Sequence, residues 1–403
     1  MFRVIALLLF SAASPAQLLP DLGPFTTVSD IGEVSRSTLV TYDRSSGIYF
    51  ISAAGENLWG ERDAFGFVSK QMKGDVSIGA RVRFMSKGGH EHRKAGVMLR
   101  QSLAPDSVYV DAVVHGGGLT SLQYRAQTGG PTREIQCARE APTALRLEKR
   151  GDYVQLFTAN EDGVFSATGC QIRLALGSKY LAGLAVCAHD NQAFENARFS
   201  SVTLGLPPER RSVRVSAIEL VPTESLSRRI VWYSSSRLEV PSFTAKGNAI
   251  CFRENGQLKK LSLAGRAEPV LVGADNIAEC ETAVPPISAG QRVVHRVSGS
   301  RSQIWLEPID GKPKQLTVDQ RNHWQPRMAP DAESFVYLSG AARPVDGKPP
   351  PGDYLLSQRT LADGRDRVLA QFYGGMGSLG VSPWSADGKQ VVFVSREPEE
   401  IGR

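Results

Sequence analysis

A chain of 403 residues exceeds what one hydrophobic core usually holds, so two domains are expected. With 41% hydrophobic and 22% charged residues the composition excludes wholesale disorder, while 39 glycines, 23 prolines and few long helical patterns favour an all-β chain. The formal charge of +6 is scattered rather than drawn into a stripe interleaved with aromatics, so nucleic acid is not the expected partner.

The N-terminus reads as a signal peptide spanning residues 1–16. Arg3 supplies a positive start, Val4 to Phe10 an apolar core, and Ser11 to Ala16 small residues suited to cleavage. The apolar run is too short to cross a bilayer, which takes about 20 residues, so stable membrane insertion is not expected. A periplasmic or secreted protein follows. Export permits disulfides among Cys137, Cys170, Cys187, Cys251 and Cys280. The count is odd and no C-x-x-C pair occurs. Cys187 and Cys251 sit in apolar alternating runs and read as core residues, while Cys137–Cys170 or Cys251–Cys280 bridges stay open.

From residue 25 to 205 the chain is a succession of period-two runs. Ala95–Gln101, Ser107–His115, Thr120–Arg125, Leu145–Arg150 and Tyr153–Thr158 each fit a half-buried strand. Turn signals such as Gly116-Gly117-Gly118 and Gly129-Gly130-Pro131 separate them. The strings Asp63-Ala64-Phe65-Gly66-Phe67, His92 to Arg100, His115 to Thr120 and Leu145 to Asp152 resemble concanavalin-A-like jelly rolls of bacterial exported proteins. That resemblance implies a β-sandwich and no particular activity.

Pro207-Pro208 and the charged residues after it mark a linker over 206–212, and a second domain is expected over 213–403. There a loop-turn-strand unit recurs. Its copies begin at Pro241, Pro285, Pro326 and Pro383, and their aligned ends fall at Phe252, His295, Tyr337 and Phe393. The spacing suits propeller blades, with residues 341–353 as a proline-rich surface insertion. Trp384-Ser385-Ala386-Asp387-Gly388-Lys389 is similar to the W-S-P-D-G-K signature of TolB-like propellers, with Ala386 in place of proline. The resemblance implies a small propeller of four to five blades. Residues 213–220 or 229–234 would complete its last blade by pairing the two ends.

No motif requires catalysis, a metal or another cofactor. Met376-Gly377-Ser378-Leu379-Gly380 lacks the first glycine of a nucleophile elbow. No E-x-D-x-x-E carboxylate triplet occurs, and Glu148 stands between Arg146 and Arg150 on its face. His90-Glu91-His92 reads as an exposed loop. Strand alternation does gather Arg100, Asp111, His115 and Gln123 as a polar patch on an open sheet face, the kind of surface that binds a glycan. The expected function is therefore non-catalytic binding or scaffolding, with an envelope protein or a glycan as partner; a carbohydrate-active hydrolase acting through the same face is the alternative.

Overall fold

The computed structural model describes residues 21–209, 214–265, 267–273, 277–280 and 290–398. The expected signal peptide over residues 1–16, residues 210–212 of the expected linker and the start of the second repeat at Pro285 lie outside the described residues. Among those described the chain is all-β, with a single four-residue helix at Ile277–Cys280. None of its helices is long and apolar enough to cross a membrane.

Two large sheets face each other in the N-terminal half. One runs, in spatial order, through Phe165–Arg173, Tyr153–Ala159, Ala144–Arg150, Val76–Phe84, Asp190–Gly205, Ile48–Gly55 and Leu39–Asp43. The other runs through Thr27–Ile31, Arg62–Met72, Tyr180–Cys187, Lys94–Arg100, Tyr109–His115, Thr120–Arg125 and Arg133–Gln136. Alternation explains the core between them. Val97, Leu99, Val110, Ala112, Leu122 and Leu184 from one sheet meet Ile78, Leu145, Leu147, Leu156, Ile172 and Phe199 from the other. The Cys137–Cys170 disulfide ties the two layers together.

The second sheet does not stop at Gln136. Arg133–Gln136 pairs in parallel with Ser227–Ser234, through Glu134 opposite Ser227 and Gln136 opposite Arg229. Ala217 and Ile230 of the C-terminal half enter the sandwich core. Across the same seam Tyr153 donates to Asp353 at 2.7 Å, Arg173 pairs with Asp353 at 2.9 Å, and Gln171 donates to the Arg396 carbonyl at 2.6 Å. The halves are welded by backbone, packing and charge together.

The C-terminal half holds three small antiparallel sheets in which each strand pairs with the next. They span Leu238–Phe243 to Val270–Leu271, Gln291–Ser298 to Lys314–Gln315, and Asn322–Met328 to Asp366–Gly374. The last strand, Gln390–Arg396, then pairs with Ser216–Pro222, which in turn pairs with Ser227–Ser234. Both ends of this half thus share one sheet, by way of each of the two segments that the sequence left as alternatives. Cys251 does not remain a free core residue: Ile250 and Phe252 enter the core, so alternation turns Cys251 to the other face of its strand, where it is bonded to Cys280 of the short helix. Cys187 is a free, buried thiol.

The four repeats share one backbone detail. Gly247, Gly290, Ala332 and Gly388 have φ of 69°, 71°, 59° and 69°. Each stands five residues before its aligned end at Phe252, His295, Tyr337 or Phe393. A left-handed residue at a fixed phase makes the same turn four times, and at Ala332 it is made by a residue with a Cβ. A Cβ added at Gly388 would meet only Pro330 Cδ, at 3.7 Å, so the cost of Gly388→Ala is conformational. That change is expected to lower stability by about 1–2 kcal/mol, read from the urea midpoint; an unchanged midpoint would mean the turn is not held left-handed.

Candidate functional site

The outer face of the second sandwich sheet carries the polar side chains that alternation singled out. Register sets them in rows: Arg100 opposite Tyr109 opposite Arg125, then Met98, Asp111, Gln123 and Glu134, and last Lys94 opposite His115. The face is not open. Arg100, Asp111, His115 and Gln123 are all buried, on the side of the sheet where Leu58 of the Asn57–Trp59 strand packs in an apolar cluster with Ile31, Phe65, Phe67, Met98 and Tyr109. Alternation assigns a side of the sheet; it does not reveal what lies over it.

Arg100 belongs to a different group from the other three. Its Nη1 donates to Asp63 Oδ2 at 2.7 Å, and Arg125 grips the same carboxylate with Nη1 and Nη2, each at 2.7 Å. All three side chains are inaccessible. The guanidinium donors left over go to carbonyls, including Ser102, Ala104, Gly130 and Gly60. Arg100 is thereby committed to holding the sheet.

Asp111, His115 and Gln123 come together around Glu134 and Lys94. Gln123 Nε2 donates to Glu134 Oε1 at 3.2 Å, and Gln136 Nε2 to Glu134 Oε2 at 2.9 Å. His115 Nε2 lies 3.3 Å from Ser121 Oγ and 3.9 Å from Glu134 Oε1. Lys94 Nζ donates to Asn57 Oδ1 at 2.7 Å and to the Leu58 carbonyl at 3.0 Å. Asp111 Oδ2, Gln123 Oε1 and His115 Nδ1 have no hydrogen-bond partner among the described residues.

These contacts split the two carboxyl groups. Burial raises Asp111 well above the usual carboxylate range, with Lys94 opposing. Burial also works against ionised Glu134, but the amides of Gln136 and Gln123, together with His115 and Ser121, outweigh it and hold that group below its ordinary value. Burial, reinforced by the Lys94 charge, lowers His115 to about 4. The sequence reading missed Asp63, Lys94 and Glu134. Lys94 was within reach, since it shares the phase of Gly96, Met98 and Arg100; Asp63 and Glu134 arrive through pairings distant in sequence.

Cavities open at the weld instead. One of 420 Å3 lies between Arg146, Glu148, Arg150 and Gln155 on the sandwich and Val215 and Tyr233 beyond it. Glu148 is engaged by Arg146 at 2.9 Å and Arg150 at 3.4 Å. A second, of 340 Å3, lies between Gln136 and Ala138 on one side and Arg229, Trp232, Tyr233 and Leu263 on the other. Ser378, in the partial elbow motif, is buried and accepts a hydrogen bond from the Gly375 amide at 3.0 Å, which makes it a turn residue.

No family model matches the chain. An uncharacterized protein of Agrobacterium fabrum is 29% identical over 125 residues, 30% of this chain, and the chain covers only 42% of that relative's length. Among solved structures, one described as a putative TolB from Agrobacterium tumefaciens aligns with a TM-score of 0.38 at 18% identity, over 46% of this chain and 99% of that one. A functionally unknown protein from Saccharomyces cerevisiae aligns at 0.36 and 15% identity, over 45% and 97%. A β-glucanase from Bacillus licheniformis aligns at 0.27 and 8%, over 45% and 92%. Overlaps this partial assign neither family nor activity.

Proposed function

We propose that this chain is an exported, non-catalytic binding and scaffolding protein, in which a jelly-roll sandwich is fused to a four-bladed TolB-like propeller. The observation that carries the binding reading is the weld between the halves. Rigid junctions are where ligand cavities concentrate, and 420 Å3 falls within the range of roughly 300–1,000 Å3 for small-molecule sites. Tyr233 lines both cavities, offering a ring on which a sugar can stack, with arginines and amides near it to bind hydroxyls. The propeller reading is supported by the four in-phase turns and the shared sheet of the two ends. Its loops would take an envelope protein.

The test is a glycan array run beside a reducing-sugar assay on the mature chain. Saturable retention of a glycan without sugar release is expected, weakened about tenfold when one stacking ring is lost in Tyr233→Ala. No retention, or retention indifferent to that change, would overturn the assignment of the weld.

A second reading is hydrolysis at the buried face, which would have to open first, since Asp111 is inaccessible and Glu134 nearly so. Asp111 is pushed toward its acid form and Glu134 toward its carboxylate, the division of labour of a general acid and a base. They stand two strands apart, about 10 Å between backbones, while inverting glycosidases separate their carboxyl groups by roughly 6.5–9.5 Å. Sugar release abolished by Asp111→Asn would put this reading first.

A further inference from the structure

Four of the chain's six histidines come together on the rim of the sandwich. His90 and His92 stand on the exposed loop before Lys94–Arg100, His115 ends the neighbouring strand, and His189 occupies the turn between Tyr180–Cys187 and Asp190–Gly205. Ring centroids are 5.5 Å apart for His90–His92, 5.6 Å for His92–His189, 4.1 Å for His90–His189 and 6.4 Å for His92–His115. We propose that His90, His92 and His189, with His115 beneath them, form a binding site for a borderline divalent metal ion such as Zn2+, Cu2+ or Ni2+. The inference is independent of the binding function argued above.

Metal–nitrogen bonds of about 2.0–2.1 Å put imidazole rings that share a tetrahedral ion roughly 5 Å apart, centre to centre. The observed spacings bracket that value. Hydrogen bonding offers no other reason for the gathering. His115 Nδ1 and His189 Nδ1 are buried and have no partner among the described residues. The nitrogens that do have partners leave the opposite one for an ion. His90 Nδ1 accepts from the His92 amide at 3.0 Å, which leaves Nε2. His115 Nε2 lies 3.3 Å from Ser121 Oγ, which leaves its Nδ1.

Arg93 and Lys94 lie beside the cluster, and a positive charge there repels an added cation unless it is neutralised. Arg93 is itself neutralised by Glu195 at 3.0 Å, and Lys94 is held by Asn57 and Leu58. As the side chains now stand, no three groups of ligating type among the described residues converge on one point. His90 and His92 are exposed, however, and their rings turn in broad torsional wells. All-imidazole ligation selects Zn2+, Cu2+ or Ni2+ over Ca2+ and Mg2+.

The test uses the untagged mature chain, stripped with chelator and titrated with Zn2+ by calorimetry, then with Co2+ by visible absorption. One ion per chain with a dissociation constant on the order of micromolar is expected. Replacing His90 and His92 by alanine should weaken it at least tenfold, while the same change at His295 and His323, far from the cluster in sequence, should not. Both loop residues are exposed, so an unchanged circular-dichroism melt will show that the variant is folded. Absence of saturable binding to the intact chain, or binding unaltered by the His90→Ala, His92→Ala and His189→Ala triple change, would overturn the site.

Discussion

Asp63→Asn is expected to destabilise the chain by about 3–5 kcal/mol, the usual consequence of leaving buried charge without its partner. The exchange keeps the shape of the side chain and removes its charge. Arg100 and Arg125 would then share an interior with no counter-ion within 3 Å, where Asp63 now meets each at 2.7 Å. An amide would also turn a donor toward one guanidinium. Neither arginine can reach water, because both are inaccessible and their carbonyl partners hold them in place. Two internal checks accompany the measurement. Adding Arg100→Met to Asp63→Asn should restore part of the loss, since one unpaired cation disappears. Arg44→Ala breaks the pair with Asp21, whose side chains are 81% and 39% exposed, and should leave the urea midpoint where it was. A normal midpoint for Asp63→Asn itself would mean the triad is not what holds this end of the sheet.

That triad shows what could and could not be read in advance. The runs at Thr120–Arg125 and Tyr153–Thr158 became strands at Thr120–Arg125 and Tyr153–Ala159, because hydrophobic alternation is a local signal. Alternation also placed Arg100, Asp111, His115 and Gln123 on one side of the sheet. It could not supply Asp63, 37 residues before Arg100 in the chain, nor the three-residue strand Asn57–Trp59, whose Asn57 and Leu58 engage Lys94. The histidine cluster was hidden for the same reason. His90 and His92 declare themselves in sequence, but His189 reaches them only through the pairing of Tyr180–Cys187 with Lys94–Arg100. Repeats were more legible than sites, since three of the four left-handed turns are written with glycine at a fixed phase and the fourth with Ala332. The parallel pairing of Arg133–Gln136 with Ser227–Ser234 had no such mark. A four-residue strand carries too few side chains to declare its neighbour.

The joining of the two ends makes Phe393 the residue on which the C-terminal half most depends, and Phe393→Ala is expected to cost about 3–5 kcal/mol. Its ring is inaccessible, 4.7 Å from that of Phe372, and packs with Trp324, Leu338, Tyr354 and Trp384. Val392 and Val394, on the opposite face of the same strand, pack with Ile218, Leu220, Leu238 and Phe252. Gln390–Arg396 is therefore a partition shared by two cores, and a cavity on one side loosens the wall of the other. The weld should spread the loss further. Four of the five tryptophans, Trp232, Trp305, Trp324 and Trp384, lie in the C-terminal half, so fluorescence follows that half while far-ultraviolet dichroism follows every sheet. With Ala217 and Ile230 inside the sandwich core, the two signals should fall together in Phe393→Ala, at one lowered midpoint. Fluorescence falling first, with the dichroism of the sandwich left at its original midpoint, would mean that the two halves unfold as separate bodies and that the parallel strand pair is a contact rather than a weld.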